Sequence, residues 1–290
     1  MSQVLNQLVQ LMSLEDIEAG IYRGASQDLG FGAVFGGQVL GQALSAAQKT
    51  IDPERQVHSL HAYFLRPGDV RQPIVYKVDV IRNGRSFSTR RVEAIQHGKA
   101  IFYLSASFQL PEEGFVHQQS MPDVTPPEAL KSELELAREH ADLIPLPIRD
   151  KFTCERPIES RPVEPFNPLK PAPAEASRHV WIRANGQLDA PHPVHQYLLA
   201  YASDFNFLPT ALLPHARSFM DPGLQVASID HSMWFHRPFD FSEWLLYQMD
   251  SPVTSGARGL VRGQIFNRAG DLVASTAQEG LLREKLKLNN

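Results

Sequence analysis

Cysteine is nearly missing from this chain: Cys154 stands alone. An internal disulfide and a zinc site built from several thiolates are therefore excluded, and a reducing compartment is the matching expectation. Long apolar runs are missing too. Nothing reaches the ~18 consecutive apolar residues a spanning helix requires, so no membrane span is expected. The opening stretch MSQVLNQLVQLMSLEDIEAG has neither the basic region nor the continuous apolar core of a signal peptide. It reads instead as an amphipathic helix carrying Leu5, Leu8 and Met12. The final LKLNN is not an SKL-type peroxisomal address. A large excess of either charge is missing as well: 28 Lys and Arg against 32 Asp and Glu leave a formal net charge of -4 and a pI near 6.3, so no general attraction to nucleic acid is expected. No H-E-x-x-H or G-x-x-x-x-G-K-[ST] pattern occurs, and Ser228 lacks a G-x-S-x-G elbow. The expectation is a cytoplasmic protein with no nucleic-acid partner, no bound metal and no cofactor.

What is present fits a globular protein of one large domain or two, with 290 residues, 43% of them hydrophobic and 21% charged. The run VHQYLLAYASD, Val194 to Asp204, is apolar on almost every side and ends on a carboxylate. Such a helix must be covered nearly all round, and burying the carboxylate is costly unless it is partnered. A second run, Gln38 to Gln48, has the same character and carries Gly41, Ala43, Ala46 and Ala47, small enough for close packing against a sheet. Gly36-Gly37 ahead of it reads as close backbone approach at a helix start. Strand-like segments come after each helix: 58–65, 73–82, 86–96 and 100–109 after the first, and 227–236, 243–252, 258–267 and 272–283 after the second. Strands are also expected at 21–27 and 179–188. Asn83-Gly84 and His97-Gly98 supply tight turns.

Between Pro111 and Pro173 lie 12 of the 22 prolines, a density incompatible with central strands. One helix, Pro127 to Asp142, is expected within an otherwise irregular surface connection. The organisation predicted is a first unit over 1–110, a proline-rich connection with one helix over 111–177, and a second unit over 178–290.

The two units are copies. Phe64-Leu65-Arg66-Pro67 and Phe235-His236-Arg237-Pro238 share Phe-x-Arg-Pro at an offset of 171, and Gly84 with Gly256 and Gly98 with Gly270 continue it at 172. The helices correspond at 158, Gln38-Val39-Leu40 against Gln196-Tyr197-Leu198. Each copy is a helix followed by four antiparallel strands, which predicts an α+β double hotdog: two helices, each wrapped by a curved sheet. A sandwich has no central helix, and a doubly wound sheet needs a helix after every strand.

Alignment of the copies isolates three positions. Asp204 falls on Ala46, Ser228 on Val57 and Gln278 on Ala106. The second copy is polar where the first is apolar, so the scaffold does not require these groups, and they come from three separate elements. Taken singly, each has an ordinary explanation: a helix-end carboxylate bonded to local backbone, an exposed strand hydroxyl, an edge-strand amide. His231 corresponds to Leu60 and reads as a core histidine or a support to the site. His58 is retained as a candidate neighbour of the trio.

The stretches GAVFGGQVLGQAL, HSLHAYFLRPGD, ASIDHSMWFHRPF and STAQEG resemble the acyl-CoA thioesterase II family across most of the chain. The resemblance implies hydrolysis of medium- to long-chain fatty acyl-CoA by an Asp–Thr/Ser–Gln set matching Asp204, Ser228 and Gln278, with Ser228 at a position often occupied by Thr. It also implies a homotetramer, a dimer being the alternative. Direct attack by water is expected, with Asp204 as general base. The Leu/Phe-rich loop after Asp204 is expected to line an acyl-chain tunnel. The competing readings are a hotdog enoyl-CoA hydratase and a non-catalytic acyl-CoA-binding protein.

Overall fold

Two helices carry the interior of the computed structural model, which describes residues 1–285 apart from Phe31 and Pro165. Helix α2 (Gly36–Gln48) is buried from Gly37 to Ala47, and α5 (His192–Ser203) from His195 to Ser203. With no exposed face over these spans, each is enclosed on all sides. The small residues of α2 serve a purpose beyond packing on the sheet, because they bring α2 against α5. A methyl group built on Gly41 would lie 2.9 Å from the Tyr197 carbonyl oxygen, and one on Gly37 would overlap the Tyr201 carbonyl oxygen. The amphipathic α1 (Gln3–Met12) closes the same core through Leu5, Leu8 and Met12.

Around the helices runs one antiparallel sheet. The first half supplies β1 (Glu15–Glu18), β2 (Ile21–Gly24), β3 (Gln56–Phe64), β4 (Ile74–Asn83), β5 (Phe87–Gln96) and β6 (Lys99–Gln109). The second supplies β7 (Ile158–Pro162), β8 (Ser177–Ala184), β9 (Leu224–Ser228), β10 (Asp230–Phe235), β11 (Leu245–Ser255), β12 (Arg258–Phe266) and β13 (Leu272–Glu284). The spatial order is β1-β2-β4-β5-β6-β3-β10-β13-β12-β11-β8-β7, with β9 paired to β13. Read from either end, equivalent strands appear in the same succession. The halves join where β3 meets β10, with His61 opposite Ser232. Those two residues are 171 apart, the offset of the repeat, so they mark a pseudo-twofold axis. The architecture is the double hotdog that the duplication predicts.

The connection differs from its expectation of a single helix over Pro127–Asp142. A 3-10 turn at Pro127–Ala129 comes first, and α3 (Glu133–Glu139) starts afresh behind a capping box formed by Ser132 and Glu135. A second helix, α4 (Leu146–Thr153), begins among Pro145 and Pro147, where proline is compatible with a first helical turn. Strand β7 then pairs with β8 at the sheet edge, where a terminal proline sacrifices no ladder bond. Met121, Val124 and Leu130 pack over Trp181, Trp244, Leu246 and Phe266, and Trp181 Nε1 donates to the Thr125 carbonyl at 2.9 Å. Strand β1 has no counterpart in the sequence reading. Positions 286–290, included in the expected second unit, lie outside the described residues.

Candidate active site

Asp204 caps the C-terminal end of α5, Ser228 ends β9, and Gln278 lies mid-way along β13. These remote positions converge on one carboxylate oxygen. Gln278 Nε2 donates to Asp204 Oδ1 at 3.2 Å and to Ser228 Oγ at 2.7 Å, while Ser228 Oγ donates to the same Oδ1 at 3.4 Å. Gln278 is 1% exposed, whereas Asp204 and Ser228 are half-buried. An acceptor held by two donors, in a place only partly open to water, is a fixed charge rather than a solvated one.

A break in the strand aims these groups. β9 and β10 are one strand interrupted at Ile229, and the matching place in the first half is a register shift between Val57 and Ser59 on β3. An extra residue in a strand rotates the residues beyond it. Ser228 and His231, three apart, consequently both turn toward the interior. Register confirms the alignment of the copies: Val57 pairs with Phe108 in one half as Ser228 pairs with Gly280 in the other. Ala46, Val57 and Ala106 are fully buried apolar residues, so the equivalent place in the first half carries no such group. Where Phe108 fills that half, Gly280 leaves room that Leu208 occupies; a methyl group on Gly280 would collide with the Leu208 side chain.

The second oxygen of Asp204 faces the other half. A methyl group on Gly36 would lie 2.6 Å from Oδ2 and 3.0 Å from the Phe64 ring, so the first residue of α2 touches the carboxylate as only a glycine can. A helix N-terminus carries partial positive charge and free amides, and favours an anion beside it. This offsets the unfavourable placement of Asp204 at the negative end of its own helix.

Behind the trio stands His231, with no exposed surface. Its Nδ1 lies 2.8 Å from Gln278 Oε1, its Nε2 3.0 Å from Ser203 Oγ, and the Phe207 ring packs beside it at 5.7 Å between centroids. Burial lowers its pKa, against the opposing pull of Asp204, Gln278 and Asp230. Tyr247 hydroxyl donates to the Ser203 carbonyl at 3.1 Å and meets Thr276 Oγ1 at 2.9 Å. Ser203 and Gly36 escaped the sequence reading. Serine recurs at the place matching Ser203, so a difference between the halves does not mark it, and a glycine at a helix start is explained by close packing alone.

His58 is not brought to the trio. Its Nε2 meets Ser107 Oγ at 2.8 Å and its ring is edge-on to Phe87 at 5.6 Å. It is the residue at the β3 register shift, and that shift turns it away from the face on which Val57 and Leu60 lie. No group of three or more His, Cys, Asp or Glu side chains with metal-binding geometry occurs among the described residues. No helix among them is long and apolar enough to cross a membrane.

Two family models match the chain. One, described as acyl-CoA thioesterase N-terminal domain, covers residues 25–109, and the other, acyl-CoA thioesterase, covers residues 147–281. Acyl-CoA thioesterase 2 of Haemophilus influenzae is 48% identical over 283 residues, spanning 98% of this chain and 99% of its own. Among solved structures, acyl-CoA thioesterase II TesB2 from Mycobacterium marinum superposes with a TM-score of 0.79 at 41% identity, covering 96% of this chain and 99% of that one. A hot dog fold protein of unknown function from Alicyclobacillus acidocaldarius, 20% identical, superposes with a TM-score of 0.76 over 97% of this chain and 99% of its own, and shares the fold.

Proposed function

The chain belongs to the acyl-CoA thioesterase family and hydrolyses acyl-CoA thioesters, and from that premise we propose that water activated by Asp204, Ser228 and Gln278 carries the reaction on medium- to long-chain fatty acyl groups. The observation that supports this reading most is the convergence of Gln278 Nε2 and Ser228 Oγ on Asp204 Oδ1 from three separate elements. In this reading the first hotdog spans 1–110, the connection 111–177, and the second hotdog, 178–290, carries the three side chains.

A thioester needs a nucleophile and a place for the developing oxyanion, but little help for its leaving group, since a thiol has a pKa of about 8.5. Asp204 accepts a proton from the attacking water as the new C–O bond forms. Ser228, with a lone pair of its hydroxyl still free, accepts from that water, and Gln278 together with Ser228 fixes the carboxylate that deprotonates it. The carbonyl oxygen takes up the displaced electron pair, facing the positive end of α2 at Gly36 and Gly37. Collapse of the tetrahedral species breaks the C–S bond. The thiolate of CoA leaves and recovers the proton from Asp204, and the free fatty acid is the second product.

The choice of medium to long chains rests on the apolar segment after Asp204, where Phe207, Leu208, Leu212 and Leu213 are all buried beside the helix end that bears the carboxylate. A thiol-release assay over acyl-CoAs of increasing length should rise to a maximum at medium or long chains. Leu208→Trp should shift that maximum toward shorter ones. An unshifted profile removes the segment as a tunnel wall. Binding of acyl-CoA without thiol release would turn the protein into a carrier, and hydration of enoyl-CoA would make it a hydratase.

A cytoplasmic location belongs to the same reading, on the strength of the single exposed Cys154. So does a homotetramer, with a dimer as the alternative. The outer face around the central pair of strands shows Tyr63 stacked on Tyr103 at 5.5 Å and exposed Leu65, a patch of the kind that self-association covers. Light scattering is expected to return four times the 32.5 kDa chain mass. A mass of one chain at micromolar concentration would overturn self-association.

A further inference from the structure

A side-chain amide has its donor and acceptor ends related by a half-turn, and only one orientation of Gln278 suits its surroundings. With Nε2 toward the site, its two hydrogens reach Asp204 Oδ1 and Ser228 Oγ. Turned over, Oε1 would face the Asp204 carboxylate, lone pair against lone pair, inside a pocket that gives Gln278 no water. What meets the other end of the amide decides which orientation is held. That group is His231, whose Nδ1 lies 2.8 Å from Oε1.

The histidine has a choice of its own, and the Ser203 hydroxyl, able to donate or accept, permits either outcome. The Ser203 hydroxyl has one hydrogen and two acceptors within reach, the Ala200 carbonyl at 2.9 Å and His231 Nε2 at 3.0 Å. If the hydroxyl donates to Nε2, the imidazole proton sits on Nδ1 and points at Gln278 Oε1. If His231 carries both protons, Ser203 donates to Ala200 instead and Nδ1–H still points at Oε1. Only the neutral Nε2–H form would release the amide, and it would leave Asp204 Oδ1 facing Oε1. The Asp204 charge therefore selects Nδ1–H. In the first half, Leu60 and Ala106 stand at the places of His231 and Gln278, so the pair occurs together and is lost together.

Resting on the reading of Asp204, Ser228 and Gln278 as the water site, we propose that His231 is a positioning residue: its Nδ1–H, selected by the Asp204 charge and accommodated by the Ser203 hydroxyl, holds the Gln278 amide with its nitrogen toward Asp204 and Ser228. It touches neither substrate nor water.

The test is steady-state thiol release by His231→Leu, His231→Asn and His231→Gln, together with Gln278→Ala, the double variant with His231→Leu, and Asp204→Asn. His231→Leu should lower kcat by roughly 10- to 100-fold, the size found when outer partners that orient metal ligands are removed, with KM changed less than about threefold because substrate contacts are intact. His231→Asn places an amide N–H near the Nδ1 position and should recover most of the loss. His231→Gln reaches toward the Nε2 position and should not. In the Gln278→Ala background, His231→Leu should cost nothing further, since it acts through that amide. Wild-type kcat in His231→Leu, an additive loss in the double variant, or His231→Asn no better than His231→Gln overturns the proposal. Where His231→Leu does not fold, the Asn and Gln variants decide. Near-normal kcat in Asp204→Asn defeats the water-site reading itself; an inactive Asp204→Asn beside a fully active His231→Leu defeats the positioning role alone.

Discussion

Asp204→Asn is expected to lower kcat for acyl-CoA hydrolysis by about two to four orders of magnitude, the range attributed to a positioned general base, with the fold intact. Asparagine matches aspartate in size and keeps an acceptor toward Ser228 and Gln278, so the end of α5 has no reason to rearrange. What disappears is the charge and with it the capacity to take the proton of water. The donors that remain lose an anionic partner and bind a neutral one, at roughly half the strength. With Asp204 proposed to meet the attacking water rather than the acyl chain or the nucleotide, KM should move little. Thiol release gives kcat, and circular dichroism with a melting curve checks the fold. Near-normal turnover in a folded variant would remove Asp204 from the chemistry.

Gly37→Ala should act on the whole molecule. A methyl group there would overlap the Tyr201 carbonyl oxygen, which is helix backbone and cannot rotate aside, and would also press on the Phe35 ring. Alanine normally favours a helix over glycine by up to ~1 kcal/mol. Here relief of the overlap demands that α2 and α5 move apart, and overpacking of a dense core costs about 1–3 kcal/mol or more. For a chain of this size that corresponds to a fall in melting midpoint of several degrees, at roughly 2–4 °C per kcal/mol. Activity should fall as well, since any displacement of α2 carries Gly36 away from Asp204. A midpoint equal to that of the parent would show that the helices do not touch at this point. Gly41→Ala, where the nearest atoms are the mobile Met12 sulfur at 2.7 Å and the Tyr197 carbonyl oxygen at 2.9 Å, should be milder.

Much of this architecture can be read from the chain because its two halves report on each other. Helices without a polar face announce an enclosing sheet, and the repeat of Phe-x-Arg-Pro locates the strands that join at the axis. The same comparison singles out Asp204, Ser228 and Gln278, since they are polar where the scaffold of the other half accepts Ala46, Val57 and Ala106. Other features depend on partners distant in the chain. Pro162 disfavours a strand in isolation, and β7 exists because β8 offers an open edge. The helix expected over Pro127–Asp142 is cut by the local bonding of Ser132, which competes with helix continuation. His58 faces away from the trio because alternation along β3 is broken at that residue, a shift visible only in the pairing of Val57 and Ser59 with β6. Ser203 is not separable by comparison of the halves, because Ser45 occupies the matching place in the first half.

The axis through His61 and Ser232 has an evolutionary meaning. Two identical hotdogs related by true symmetry would hold either two equipped chambers or none, because every mutation would appear twice. Covalent fusion frees the copies from that constraint. One half is free to carry alanine and valine where the other carries a carboxylate, a hydroxyl and an amide, while its helix start still lies against the carboxylate of its twin. Each chain is thus a fused pair whose copies need no longer match, and the proposed water site asks for only one of them to be equipped.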